Sequence, residues 1–128
     1  MPNRSQRQQI ARASYSFATD GGAVGAVTLS TSDILPVGAI ITGVFVDCTT
    51  GFTSGGSATV AVTGGGATLV SAATLSSLGI NSTLKGKLTL ASSATAIKAT
   101  SNAPIGITVA VAALTAGVMD IFVEYIIK

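Results

Sequence analysis

Apolar and polar residues alternate along several short stretches of the chain, with the period of two that a β-strand imposes. In residues 11–17 the odd positions are apolar and the even positions are polar, and apolar residues likewise occupy every second position of residues 58–62, 105–111 and 119–127. Because successive strand side chains point to opposite faces, each stretch offers one apolar face to a core. Val, Ile and Thr, which pack well on a pleated surface, are frequent in these stretches. The pattern therefore predicts a β protein.

Weaker strand patterns and turn signals fill the rest of the chain. Further strands are predicted over residues 23–29, 39–47, 67–70, 83–90 and 94–99. Gly-, Ser- and Asn-rich turns separate them, and only residues 71–78, followed by Gly79 as a C-terminal cap, predict a short helix. Many short strands with turns between them are typical of a sandwich or barrel. We predict an all-β fold, an antiparallel β-sandwich arranged as an eight-stranded jelly roll, with an immunoglobulin-like sandwich as the alternative.

The basic residues are concentrated at the N-terminus. Arg4, Arg7 and Arg12 give residues 1–19 a charge of +3, whereas the remaining residues, with four Lys and five acids, carry −1. Residues 1–9 have no strand pattern, so we predict an extended basic arm followed by a single domain over residues 10–128. The three arginines are predicted to form a protein-docking arm. A solvated tail stays open as an alternative, and nucleic acid is a weaker one because no aromatic stacking platform accompanies the arginines.

Charged residues are scarce elsewhere. They make up 9% of the chain, against roughly a quarter in an ordinary soluble domain, and apolar residues make up 48%. A surface with so little charge is poorly suited to an isolated monomer. We therefore expect much of the surface to face other protein, including further copies of the chain.

The sequence contains no recognisable set of catalytic residues. It has no His, a single Cys (Cys48) and five acids, so Ser-His-Asp and Cys-His arrangements and the commonest metal ligand are missing. Asp120 and Glu124 share a predicted strand, but their spacing of four residues places them roughly 13 Å apart, too far for a pair of glycosidase carboxylates. We predict that the protein is not an enzyme and uses no metal and no cofactor.

Neither a membrane span nor a secretion signal is predicted. The longest apolar run, residues 103–114, is too short to cross a bilayer and contains Pro104 and Gly106. The first residues lack the apolar segment of a signal peptide. We expect synthesis in the cytoplasm and no membrane partner.

Three segments resemble a widespread group of small structural proteins of tailed bacteriophages. They are residues 33–47 (DILPVGAIITGVFVD), 49–60 (TTGFTSGGSATV) and 114–125 (LTAGVMDIFVEY). The resemblance covers most of the chain from about residue 30 onward and implies a component of the virion with no enzymatic residues.

The group includes capsid cement (decoration) proteins, and this is the function that the resemblance favours. It implies a homotrimer on the outside of the phage head, made in the host cytoplasm, that binds the major capsid protein and stabilises contacts between its copies. The alternative is a tail, neck or fibre component that recognises the host surface, where a glycan would be the partner. Phe52, in a Gly/Ser-rich stretch, is predicted to be an exposed aromatic and a candidate interface residue.

Overall fold

The alternating stretches form strands, as a computed structural model of the chain shows. The structure describes residues 8–29, 31–83, 85–88, 90–91 and 97–127. Within these ranges the elements, in chain order, are β1 (Gln8–Ser16), α1 (Phe17–Asp20), β2 (Gly25–Val27), β3 (Thr31–Ser32), β4 (Ile34–Leu35), β5 (Ile40–Ser54), β6 (Thr59–Gly64), β7 (Ala67–Thr74), α2 (Leu75–Leu78), β8 (Lys85–Leu88), β9 (Ile97–Lys98), β10 (Ala103–Pro104), β11 (Gly106–Ala110) and β12 (Leu114–Ile126).

Two antiparallel sheets pack face to face. Sheet A has the strand order β3-β1-β12-β5-β8, and β9 also pairs with β5. Sheet B has the order β2-β11-β6-β7, and β4 and β10 form a separate two-stranded ladder. The predicted all-β class and the antiparallel sandwich are therefore confirmed, while the jelly-roll connectivity stays a prediction.

The core lies between the two sheets and is built by the predicted alternation. In β12 the odd positions Met119, Ile121 and Val123 are at most 1% exposed, and the even positions between them are half-buried. Sheet B contributes Val60, Val62, Ile107 and Val109 to the same cluster of buried side chains. Burial of this apolar surface is the main force that holds the sheets together.

β-Bulges explain where the sequence pattern and the strand ends disagree. The ladder between β5 and β12 shifts register four times, three of them between Leu114 and Met119. Each bulge adds a residue to one strand and interrupts the period of two. The strand prediction over residues 119–127 therefore missed the first five residues of β12, and the prediction over 39–47 missed the second half of β5.

The helix predicted over residues 71–78 is wrong in its first half. Residues 71–74 belong to β7, where Ala73 lies opposite Val60 and Thr74 opposite Thr59. Helix α2 begins only after Thr74, whose Oγ1 accepts a hydrogen bond from the Ser77 amide at 3.3 Å. Gly79 ends it in the left-handed conformation, with φ 80°, so the C-terminal cap is confirmed.

The described chain begins inside the region predicted to be an arm. Gln8 and Gln9 already belong to β1, opposite Ile126 and Tyr125. Residues 1–7, and with them Arg4 and Arg7, lie outside the described residues, so the arm stays a prediction. None of the helices described is long and apolar enough to cross a membrane.

Candidate interaction surfaces

The two sheets differ in charge. The strands of sheet B contain no ionisable residue, and residues 49–84 of the chain carry no charge at all. Sheet A carries charge on its outward side, which we call the charged face. The side chains of the charged face are Arg12, Ser14, Phe45, Asp47, Lys87, Asp120, Phe122 and Glu124.

One row across the charged face places two adjacent aromatic rings between two cations. The register places Arg12 beside Phe122, Phe122 beside Phe45, and Phe45 beside Lys87. The Arg12 guanidinium lies 5.7 Å from the Phe122 ring centroid, and the Lys87 ammonium lies 5.9 Å from that of Phe45. Both distances allow a cation–π attraction. The two phenylalanines are thus covered in part by the subunit's own cations.

The next row places two carboxylates directly opposite each other. Asp120 lies opposite Asp47 across β12 and β5. Asp120 accepts a hydrogen bond from the Ser14 hydroxyl at 2.7 Å and pairs with Arg12 at 3.4 Å. Asp47 Oδ1 is buried and accepts no hydrogen bond from any residue whose side chain is described. Like charges in this position are destabilising, so the charged face depends on water, or on neighbouring cations, to stabilise its acids.

Arg12 belongs to the sheet and not to the arm in front of it. Its side chain is 59% exposed and contacts Asp120 and Phe122, and its backbone amide donates to Asp33 Oδ2 at 2.9 Å. These contacts fix the middle of β1 at the edge formed with β3. Arg12 is therefore part of β1, four residues after Gln8, where the described chain begins.

The predicted exposure of Phe52 is wrong. Phe52 is 1% exposed and stacks on Tyr15 with 5.3 Å between the ring centroids. The reason is that β5 runs on through the Gly/Ser-rich stretch, and the Phe52 amide donates to the Ile80 carbonyl at 2.8 Å. A ring held inside the core is not available to a partner. Phe52 lies an even number of residues from buried Val44, Val46 and Cys48, which is the spacing of one strand face. The Gly and Ser residues around Phe52 obscured this signal in the sequence.

Tyr15, the ring under Phe52, has a strongly raised pKa. Its hydroxyl donates to the Gly21 carbonyl at 2.7 Å, and the residue is 0% exposed. Burial, with a smaller effect from the negative charge of Asp20, raises the pKa of Tyr15 from 10.0 to about 12. Both effects disfavour the phenolate.

The raised pKa of Tyr15 predicts a loss of stability in alkali. The unfolded chain ionises its phenol above pH 10, whereas the folded chain keeps it protonated until about pH 12, so this contribution is complete below pH 10 and is lost as the pH rises through that window. We expect the variant Tyr15→Phe to show a shallower fall in melting temperature between these pH values than the wild type. Equal slopes for the two proteins would contradict the assignment.

Sheet B presents an outward side made of small uncharged residues, which we call the neutral face. Thr108 at its centre lies between Ala26 on β2 and Ala61 on β6. The inward neighbours of Thr108, Ile107 and Val109, are buried, so Thr108 itself points outward. The neutral face consists of Ala26, Thr59, Ala61, Thr63, Gly106, Thr108 and Ala110.

Two exposed valines border the neutral face at one end. Val24 precedes β2 and is 58% exposed, and Val111 follows β11 and is 73% exposed. Because Gly25 lies opposite Val109, both valines lie just beyond the same end of the ladder. Val111 has φ 72°, a conformation that a β-branched residue rarely adopts. The sequence pattern had placed Val111 on a buried strand face, which is wrong because the chain turns after Ala110.

Among the residues described, no group of three or more His, Cys, Asp or Glu is placed to hold a metal ion. The candidate interaction surfaces are the charged face and the neutral face with its valine border.

Comparison with known proteins adds one structural relative. No family model matches the sequence, and no curated protein matches it. A chain in the solved structure of the cyanophage Pam1 capsid asymmetric unit is similar to this one, with a TM-score of 0.62 and 24% sequence identity. The similarity covers 100% of this chain and 90% of that chain. At this level of identity, the comparison shows that the chain shares the β-sandwich fold of a chain found in a phage capsid.

Proposed function

We propose that this chain is a structural protein of a phage virion: a cement, or decoration, protein that binds the outside of the head as a homotrimer and stabilises contacts between major capsid proteins. The observation that carries the proposal is the fold shared over the whole chain with a chain of a capsid asymmetric unit. The resemblance of several sequence segments to small phage structural proteins also supports it. Two of these segments, residues 33–47 and 114–125, include parts of the central strands β5 and β12.

The segregation of charge between the sheets fits a protein that holds surfaces together. A subunit with one charged and one uncharged face can keep the first in water while the second is covered by protein. Each contact of such a subunit needs only the standard size of about 800 Å² per partner. A trimer raises the effective affinity further, because the second and third contacts form at high local concentration. Binding the assembled shell and not its free subunits stabilises the shell by mass action.

In this proposal the N-terminal residues reach the capsid. Arg4 and Arg7 precede Gln8, where β1 begins, and all of β1 pairs with β12. Guanidinium groups bind carboxylates and backbone carbonyls through several hydrogen bonds in a fixed geometry. The arm would add charge-assisted contacts to those that the sandwich makes.

The proposal is tested by sedimentation of the protein with phage heads that lack it. We expect the wild type to bind the heads to saturation, at a number of copies close to that of the major capsid protein, and to raise the temperature at which the heads dissociate. The variant Arg4→Gln/Arg7→Gln should bind roughly tenfold more weakly, as charge-assisted contacts are lost. The control variant Lys87→Gln/Lys98→Gln removes the same charge from sheet A and should bind like the wild type.

Other results would contradict this function. Failure of the wild type to sediment with heads would exclude a cement role. A few copies per particle, located on the tail or on a fibre, would favour the host-recognition alternative.

A further inference from the structure

We propose that a second copy of this chain packs against the neutral face, with Val24 and Val111 inside the contact. The inference rests on the homotrimer of the proposed function and names the surface through which it forms. It leaves the charged face toward water.

Charge identifies the occupant of the neutral face. When identical subunits surround an axis, the surface nearest the axis meets its own copies. The charged face would bring Asp47 and Asp120 close to the same carboxylates of a neighbour and remove them from water, which is costly for unpaired charges. The neutral face has no charge to desolvate or to repel. Its threonine hydroxyls both donate and accept hydrogen bonds, so they can pair with polar groups of whichever part of the neighbouring copy meets them around the axis.

The side chains of the neutral face suit close packing. Ala, Gly and Thr lose little or moderate conformational freedom when they are buried, in contrast to Lys, Arg or Glu. Their small size limits how far the side chains project, and outward-facing Ala61, at 8% exposure, is already covered by its neighbours. A surface without long side chains allows the backbones of two copies to approach closely.

Val111 and Val24 extend this surface with apolar area. Val111 combines a φ of 72° with 73% exposure, so an isolated subunit bears both the backbone strain and the exposure of an apolar side chain to water. Burial against a second copy would remove the second cost and offset the first. Val24, on the other side of the same ladder end, would enter the same contact.

The test is the oligomeric state of the full chain, measured by analytical ultracentrifugation over a range of concentrations. Thr108→Arg places a cation at the centre of the neutral face in every copy, and we expect it to weaken self-association roughly tenfold or more. Thr49→Arg is the matched control: it places the same residue at an exposed position of β5 in sheet A, and it should associate like the wild type.

A second pair of variants keeps the test decisive if Thr108→Arg fails to fold. Glycine adopts the φ of Val111 without strain, so Val111→Gly should keep the melting temperature of the subunit and still weaken association roughly fivefold or more, as a buried apolar contact is lost. The control Val37→Gly removes a valine that is 56% exposed and precedes β5, near the opposite end of the sandwich; its association should be unchanged.

The inference is overturned if the wild type is a monomer at all concentrations, or if both Thr108→Arg and Val111→Gly associate like the wild type. These outcomes are separate from failure of the cement function. If the protein self-associates through the neutral face but does not bind phage heads, the cement function alone is refuted. If it binds heads, and both Thr108→Arg and Val111→Gly self-associate like the wild type, the inference alone is refuted.

Discussion

Replacement of Phe52 with alanine is expected to lower the free energy of unfolding by about 3–5 kcal/mol. The ring is 1% exposed and stacks on Tyr15, and the side of Gly117 also faces it. Truncation removes this apolar area and leaves a cavity between rigid strands. Since small domains have a total stability of about 5–15 kcal/mol, the variant should be close to unfolding at ordinary temperatures.

Equilibrium unfolding in urea measures this loss, with Phe52→Leu and Phe122→Ala as controls. Leucine fills much of the same volume and should cost less. Phe122 is half-buried on the charged face, so its truncation should also cost less than that of Phe52. A loss below about 1 kcal/mol for Phe52→Ala would contradict the buried position of the ring, because surface changes fall in that range.

Replacement of Gly117 with alanine is expected to cost about 2–6 kcal/mol, from backbone strain and overpacking together. Gly117 has φ 148°, which side-chain-bearing residues rarely adopt. A Cβ at this position would lie 2.8 Å from two atoms of the Phe52 ring, well inside van der Waals contact. Alanine would therefore have to push the ring out of its place against Tyr15.

The matched control is Gly55→Ala, where a Cβ would meet nothing within 4 Å and φ is not positive. It should change stability by less than about 0.5 kcal/mol. The cost of Gly117→Ala should also shrink in a Phe52→Leu background, because residues in contact couple in double-mutant cycles. Equal costs for the two glycines, or no coupling, would show that Gly117 does not support the ring.

The fold class was predictable because it depends on the alternation of apolar and polar residues with a period of two, which is visible in the sequence. The odd positions of residues 119–125 and 105–109 are buried as the alternation requires. The two-residue strands β3, β4 and β10 were missed, because their pairing comes from distant residues, such as Ser32 beside Ala13, and not from any local pattern. The strand predictions missed the first part of β12 and the end of β5, because β-bulges interrupt the period of two there.

The candidate surfaces were only partly predictable. The sequence shows two runs without charge, residues 49–84 and 99–119, and these supply β6, β7 and β11. Only the topology, which pairs β6 with both β7 and β11, reveals that the runs form one uncharged sheet. Phe45 and Phe122 were likewise separate aromatics until the register of β5 and β12 placed them side by side.

The central position of β12 has a mechanical consequence. All nine residues of β1 pair with one edge of β12, and β5 pairs with the other edge over most of its length. Hydrogen bonds of an antiparallel ladder lie perpendicular to the strands. Tension applied along β12 would therefore load both ladders in shear, so that many bonds must rupture together, whereas a force across the sheet would unzip them one after another. The subunit should be stiff and strong along the strand axis and much weaker at right angles to it.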